Sequence, residues 1–522
     1  MRPRVNLGSL YGRGRAAEQS PVFSQSTRIE PTLQEQEMFH VAIVKLGDIG
    51  ALQDEVLDGI AETLSQLNRL SISPCIFIQQ DVDAPREARA RQGQQIDKLA
   101  IALAEKGKRA AWRVDNIFST TRDGAVRVQN RELLLRPLRR GQIPLVTTIA
   151  YSTDDYTLVT IDTDTAILAL VKKFADLDRS SLSVQMQKEM SIDRLITVDT
   201  TGGLPKKNED GDRHVFLNLE QEYESINEQL ALEDGNMRSK LRKANLDLLQ
   251  DALRILPSSS SGLMTTFTEV ANLKTSEQSV MSGVGTRRQK NTLIHNLLTD
   301  KPAHSSSLPS SRRNQNDATT ISTSISSFVK RGMPLTILPD PASEPWRADA
   351  PRLKLTDPRI DLARLVHLIE DSFGRKLDVE EYLDRVNHRI AGVIVAGDYE
   401  GGAILTWEDP GISDSNSQLV PYLDKFAVLR RSQGAGGVAD IVFNAMVRTC
   451  FPHGVCWRSR KDNPVNKWYF ERSRGTWKIP STNWTMFWTT PGVELADNTF
   501  KEYESVCRAI EPSWADTKRP AD

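Results

Sequence analysis

Cysteine is scarce: Cys75, Cys450, Cys456 and Cys507 are the only four in 522 residues, with no CxxC and no paired Cys/His spacing. That excludes a disulfide-stapled scaffold and a structural zinc site, and it fits a reducing compartment. The seven histidines are scattered, so each reads as a surface or core residue, and no metal site is expected. No run of about 18 apolar residues is present to make a membrane-spanning helix. With 67 basic and 68 acidic residues the net charge is −1, so no overall field favours nucleic acid or an anionic membrane. No internal repeat is visible. What remains is 39% hydrophobic and 26% charged, over a length that supports two or three domains.

Residues 1–37 place Arg2, Arg4, Arg13 and Arg15 before the first acid, Glu18, and read either as a mitochondrial presequence or as a disordered basic tail. Residues 38–300 read as a parallel α/β domain. Strand-like His40 to Val44, a helical stripe at Val56, Leu57, Ile60, Leu64, Leu67 and Leu70, and strand-like Cys75 to Ile78 set the pattern. It continues through a helix near Ile96 to Leu103 and strands at Ile143 to Ile149, Thr157 to Ile161 and Arg194 to Val198; a helix at Leu246 to Leu256 follows. Serine, threonine and asparagine then dominate, so 301–347 is expected to be a linker. Residues 348–495 form the second domain, with helical faces at Leu362 to Ile369 and Val379 to Val386 and a hairpin signal at Gly397 to Gly401. Residues 496–522 read as a tail holding one short helix near Tyr503 to Ile510.

The stretch from Tyr422 to Phe470 carries the chemistry. Tyr422 to Arg430 alternates as a half-buried strand, with Lys425, Ala427 and Leu429 on one side and Phe426 and Val428 on the other. It runs into Arg431-Ser-Gln-Gly434-Ala435-Gly436-Gly437, beyond which Val438, Ile441, Val442 and Ala445 recur at helical spacing. A glycine turn opening a helix is either a plain turn or an anion site, where free N–H groups and the helix dipole meet phosphate. Arg458 and Arg460 share one face of the next short strand; they hold a small dicarboxylate between them or merely blunt a solvated edge. Asn463-Pro464 reads as a helix start with asparagine as N-cap, Tyr469 lies on that helix beside Trp468, and Gly475 ends it.

The Arg431-x-x-Gly434-x-Gly436 loop resembles the acetyl-CoA pyrophosphate loop of the GNAT N-acetyltransferases. The succession YLDKFAV, glycine loop, WRSRKDNPVNKWYFERSRGTW and NWTMFW resembles, more narrowly, the acetyltransferase domain of the N-acetylglutamate synthase family of vertebrate and fungal type. The resemblance implies a mixed-sheet α/β acetyltransferase domain that moves acetyl from acetyl-CoA to L-glutamate, the first step of arginine biosynthesis. It assigns Lys425, Arg458 and Arg460 to the glutamate carboxylates, Asn463 to orienting substrate or thioester, and Tyr469 to protonating the departing thiolate. Val428, Leu429, Arg431, Gly434, Ala435, Gly436 and Gly437 would hold acetyl-CoA.

The first domain resembles the amino-acid kinase fold through Ile161-Asp162-Thr-Asp164-Thr-Ala166 and Leu195 to Asp199 ahead of Gly203-Leu-Pro205. Lys45-Leu-Gly47-Asp48 has one glycine, and Asp162 stands where the kinases carry asparagine, so phosphoryl transfer is not expected. The resemblance implies instead a regulatory domain with L-arginine as feedback inhibitor, a mitochondrial matrix location, a homo-oligomer and a complex with acetylglutamate kinase. Two rivals keep both folds: an acetyltransferase for another amine, and a non-catalytic arginine-responsive partner of that kinase.

Overall fold

The computed structural model describes residues 38–80, 85–106, 111–179, 190–206, 213–232, 236–272, 291–300, 326–412, 418–433, 437–493 and 498–515. Residues 1–37, most of the expected linker, and Gly434, Ala435 and Gly436 lie outside them. The chain divides into two compact units: Met1–Ile43, Leu52–Asp193 and Ala271–Lys301 form one, and Val44–Ala51, Arg194–Val270 and Pro302–Asp522 form the other. β1 (Phe39–Leu46) and β9 (Met190–Asp199) each contribute residues to both.

In the first unit strand and helix alternate. β1 is followed by α1 (Asp54–Arg69), β2 (Ile72–Ile78), α2 (Pro85–Lys106) and β3 (Ala111–Val114). α1 buries Leu57, Ile60, Ala61, Leu64 and Leu67, a stripe that follows directly from their three- and four-residue spacing. After β4 (Phe118–Thr120) and β5 (Val126–Val128) come α3 (Glu132–Arg139), β6 (Ile143–Val146), β7 (Ile149–Ser152), β8 (Leu158–Thr160) and α4 (Thr163–Arg179). The main sheet runs β9-β1-β2-β6-β3, with β6 parallel to both β2 and β3, and a small sheet runs β5-β4-β7-β8.

The second unit begins on the same pattern. β9 leads to β10 (Phe216–Asn218), α5 (Leu219–Leu232), α6 (Met237–Ile255), β11 (Ser261–Thr266) and β12 (Ser327–Lys330), in sheet order β10-β12-β11-β9-β1. β12 comes from the segment expected to be linker and pairs antiparallel with β11, so the sheet is not wholly parallel. Four residues are too few for periodicity to reveal against a polar background. The chain thus carries a largely parallel α/β sheet followed by a second, mixed sheet.

That second sheet runs β13-β14-β15-β16-β17-β19-β18. It starts at β13 (Leu335–Leu338), also from the expected linker, followed by α7 (Leu362–Phe373) and α8 (Val379–Val386). Asp361 and Asp378 cap these helices, accepting from Arg364 N at 3.0 Å and Glu381 N at 3.2 Å. β14 (Ile390–Ala396) and β15 (Gly401–Glu408) form the expected hairpin, and β16 (Val420–Val428) adds antiparallel to β15. Then follow α9 (Val438–Ala445), β17 (Cys456–Arg460), α10 (Asn466–Arg472), β18 (Gly475–Lys478), β19 (Trp484–Trp488) and α11 (Asn498–Ala509).

Three expectations change here. The helix near Asn463 starts at Asn466, because Asn463 Oδ1 accepts from Val465 N at 3.0 Å and closes a turn first. Gly475 begins β18 opposite Trp488, and an added Cβ would sit 2.0 Å from the indole, so close ring approach and not helix termination requires glycine. The tail is part of the domain: α11 buries Phe500, Tyr503, Val506 and Cys507, and Leu377 bridges to Trp514.

Candidate active site

β16 leads into the glycine turn, and its register against β15 shifts once. Ile404 faces Lys425 while Leu405 faces Leu423, so Asp424 is an extra residue in a β-bulge. Simple alternation would send Asp424 and Lys425 to opposite faces. The bulge brings them to one face, with Lys425 Nζ 2.9 Å from Asp424 Oδ2. On its other edge β16 meets β17 in parallel at the single pair Tyr422↔Cys456. Beyond it the ladder stops, leaving an opening in the sheet between the second half of β16 and Arg458 to Arg460.

Lys425 is boxed in at that opening. Its side chain is 11% exposed, with Nζ 4.7 Å from the Tyr382 ring centroid and 5.8 Å from that of Trp514. Arg385 Nη2 donates to Asp424 Oδ1, and the Tyr382 hydroxyl donates to Asp424 Oδ2 at 2.8 Å. Burial works against the Asp424 charge, yet Lys425 and Arg385 hold its carboxyl well below the usual range. Burial likewise pushes the Lys425 ammonium down, opposed by Asp424. Glu408, 1% exposed, accepts from Arg389 at 2.6 Å and lies 3.8 Å from Arg385. Arg385, Arg389 and Lys425 therefore outnumber Asp424 and Glu408 by one charge.

The two strand arginines have different fates. Arg458 donates through Nη1 to the Cys507 carbonyl at 2.6 Å and through Nη2 to the Ile510 carbonyl, and its guanidinium stacks 4.0 Å over Trp484. Two of its five N–H donors thus go to carbonyls at the C-terminal end of α11. Arg460 is exposed, and its side chain has no partner among the described residues.

Tyr469 lies on the other face of the sheet, 7% exposed among Trp457, Trp468 and Phe487, each ring centroid 5.5 Å away, and Phe426 at 6.5 Å. Phe426 is next to Lys425 and packs on the Tyr469 side, so Tyr469 and Lys425 lie on opposite faces of β16. Burial raises the Tyr469 phenol well above its ordinary range, so it stays protonated. Asn463 donates to Ser459 Oγ at 2.8 Å. Arg472 forks onto Asp440 at 2.9 and 2.6 Å, tying the Tyr469 helix to α9.

The cofactor turn is only partly described. Gly437, at φ 71°, is the left-handed N-cap of α9 and packs against Phe216, an added Cβ lying 3.5 Å from its ring. Arg431 lines a cavity of about 430 Å³ with Arg364, His367 and Tyr399. At the end of β16 Val428 N donates to Ser372 Oγ at 3.1 Å, while Leu429 N, on the β15 side, donates to the Glu400 carbonyl at 2.9 Å. The carbonyl of Val428 accepts from Gln433 at 3.1 Å. Burial also raises the Cys450 and Cys456 thiols, so neither is an activated nucleophile.

Asp424, Arg385, Tyr382 and Trp514 were not singled out in the sequence. Two successive charges inside an apolar strand, Asp424-Lys425, were the available signal for a bulge. Around the β1 and β9 strands of the same unit Lys45 Nζ donates to Asn245 Oδ1 at 2.9 Å, and Asn245 donates to Asp199 Oδ2 at 2.6 Å. Asp199 also accepts from Thr201 N at 2.5 Å and Gly202 N at 2.9 Å. In the first unit Asp162 accepts from Thr165 N at 3.0 Å and caps α4.

The mixed sheet that carries β16 and α9 lies in the region matched by the family model for the N-acetyltransferase domain of N-acetylglutamate synthase, residues 350–512. The mitochondrial amino-acid acetyltransferase of Aspergillus fumigatus is 48% identical, covering 98% of this chain and 82% of its own length. Those of Talaromyces stipitatus (47%; 100% and 87%) and Aspergillus oryzae (49%; 98% and 82%) are similar. The chain belongs to the amino-acid acetyltransferase family. It is a mitochondrial amino-acid N-acetyltransferase. Among solved structures, N-acetylglutamate synthase from Neisseria gonorrhoeae complexed with coenzyme A and L-arginine aligns at TM-score 0.40 and 12% identity, over 87% of this chain and 96% of that one.

Proposed function

We propose that the acceptor is L-glutamate, making the reaction the entry step of arginine biosynthesis. One observation carries this reading: the excess positive charge around Lys425 lies at the opening of the sheet, on the strand that leads into the glycine turn. Lys425 and the unengaged Arg460 would hold the two carboxylates, leaving the amine free to attack. Arg458 would act indirectly, by fixing α11 and the segment that carries Trp514. Asn463, tied to Ser459, would orient the acceptor.

The amine nitrogen adds to the thioester carbonyl, the tetrahedral centre collapses, and the C–S bond breaks. The departing thiolate takes a proton from the Tyr469 hydroxyl, which burial keeps protonated, and the proton shed by the attacking nitrogen returns through solvent to the phenolate. The α9 N-terminus at Gly437 suits the pyrophosphate, since free backbone N–H groups and the positive end of the helix dipole would both favour an anion there. Thiol release from acetyl-CoA tests the assignment. Release that requires glutamate and is weak with aspartate or glutamine supports it; equal release with any amine would remove it.

The kinase-like part is proposed as the regulatory domain, with L-arginine as feedback inhibitor. A non-catalytic role is supported by Lys45-Leu-Gly47-Asp48, which offers one glycine for a phosphate, and by Asp162, which caps α4 where the kinases carry asparagine. Arginine titration of the full chain, read as inhibition at fixed glutamate and acetyl-CoA, checks it.

A further inference from the structure

Lys425 is held by an acid, an odd neighbour for a group that must grip another acid. Its Nζ carries three protons, and one goes to Asp424 at 2.9 Å. No other described residue takes the remaining two. Asp424 is in turn fixed from two sides by α8, through Arg385 Nη2 and through the Tyr382 hydroxyl at 2.8 Å. The groups facing this cluster are Glu408 on β15, 3.8 Å from Arg385, Arg389 behind it, Arg458 on β17 and the Trp514 ring. Cations thus surround Lys425, and among the described residues Asp424 is its only hydrogen-bonded anion.

We infer that Asp424, fixed in its β-bulge by Arg385 and Tyr382, is a positioning residue that aims the Lys425 ammonium into the sheet opening and keeps it charged to bind the acceptor's carboxylate. This rests on the reading that Lys425 holds that carboxylate. The physics is a balance: burial and the neighbouring arginines drive the proton off Lys425, while Asp424 retains it. Without the bulge Asp424 would point to the opposite face, and the lysine would stand among cations with no counter-ion.

The test is the pH dependence of KM for glutamate in the full-length enzyme, with kcat and KM for acetyl-CoA measured alongside. With Asp424→Asn the pH above which KM for glutamate climbs should fall by about one to three units. At neutral pH KM should rise about tenfold or more, while kcat at saturation and KM for acetyl-CoA stay within a few-fold. Tyr382→Phe removes a donor that competes for Asp424, so its KM rise should shift slightly to higher pH. A packing role alone would instead lower stability and kcat without moving the pH of the KM rise. Lys425→Ala separates the two failures. If it leaves KM for glutamate unchanged, the reading of Lys425 itself falls, and this inference with it. If it raises KM while Asp424→Asn keeps the wild-type profile, only the positioning role is overturned. Should Asp424→Asn not fold, an unshifted profile in Tyr382→Phe overturns it.

Discussion

Arg458 and Cys507 meet across 49 residues of chain: Nη1 of the arginine donates to the main-chain carbonyl of the cysteine at 2.6 Å, while Nη2 takes the carbonyl of Ile510. An exposed-looking strand arginine is thus the C-terminal clamp of α11, and through it of the segment whose Trp514 walls Lys425.

Replacing Arg458 by alanine should therefore damage structure first. Losing two charge-assisted hydrogen bonds and leaving two carbonyls without partners costs about 2–3 kcal/mol. Thermal unfolding should show a lower Tm, and limited proteolysis should cut sooner after Ala509. KM for glutamate should rise as a secondary effect, and Arg458→Lys should recover only part of it, because an ammonium has no fork. A variant with unchanged stability and raised KM would return Arg458 to direct substrate contact.

Tyr469→Phe should lower kcat by about 10²-fold or more with little change in either KM, since only the proton for the leaving thiolate is lost. The pH profile carries a sign. The neutral phenol is the working form, and burial raises its proton affinity above the ordinary value of 10.0, so it keeps its proton as pH rises. No fall in kcat from this group should appear below about pH 10. A wild-type kcat in Tyr469→Phe would remove the residue from the mechanism.

Gly437→Ala places a side chain on a left-handed backbone, φ 71°, at a strain of about 1–2 kcal/mol. KM for acetyl-CoA should rise several-fold while KM for glutamate holds. Equal changes in both would mean the turn supports the domain and not the co-substrate.

Cys450→Ala and Cys456→Ala should each retain kcat within a few-fold, because both thiols are kept neutral by burial. Some stability should be lost, as both are packed in the core. A thousand-fold loss of turnover in a folded variant, with trapped acetyl-enzyme, would point to a covalent route.

The sequence by itself determined what is local. Apolar spacing set the helices Asp54–Arg69 and Leu362–Phe373, and alternation set the two faces of β16 at Lys425, Phe426, Ala427, Val428 and Leu429. The order of strand, glycine turn, helix and arginine strand came from neighbouring residues alone, because periods of 2 and 3.6 are properties of the backbone. Tertiary structure decided everything that depends on distant partners. The short strands Ser327–Lys330 and Leu335–Leu338 exist because sheets accept them at an edge or between neighbours. A bulge turned Asp424 toward Lys425, the Trp488 ring set the need for Gly475, and the end of a helix 49 residues away claimed Arg458. A charged side chain shows in sequence that it needs a partner; only the packed fold decides which carbonyl or carboxylate lies within reach.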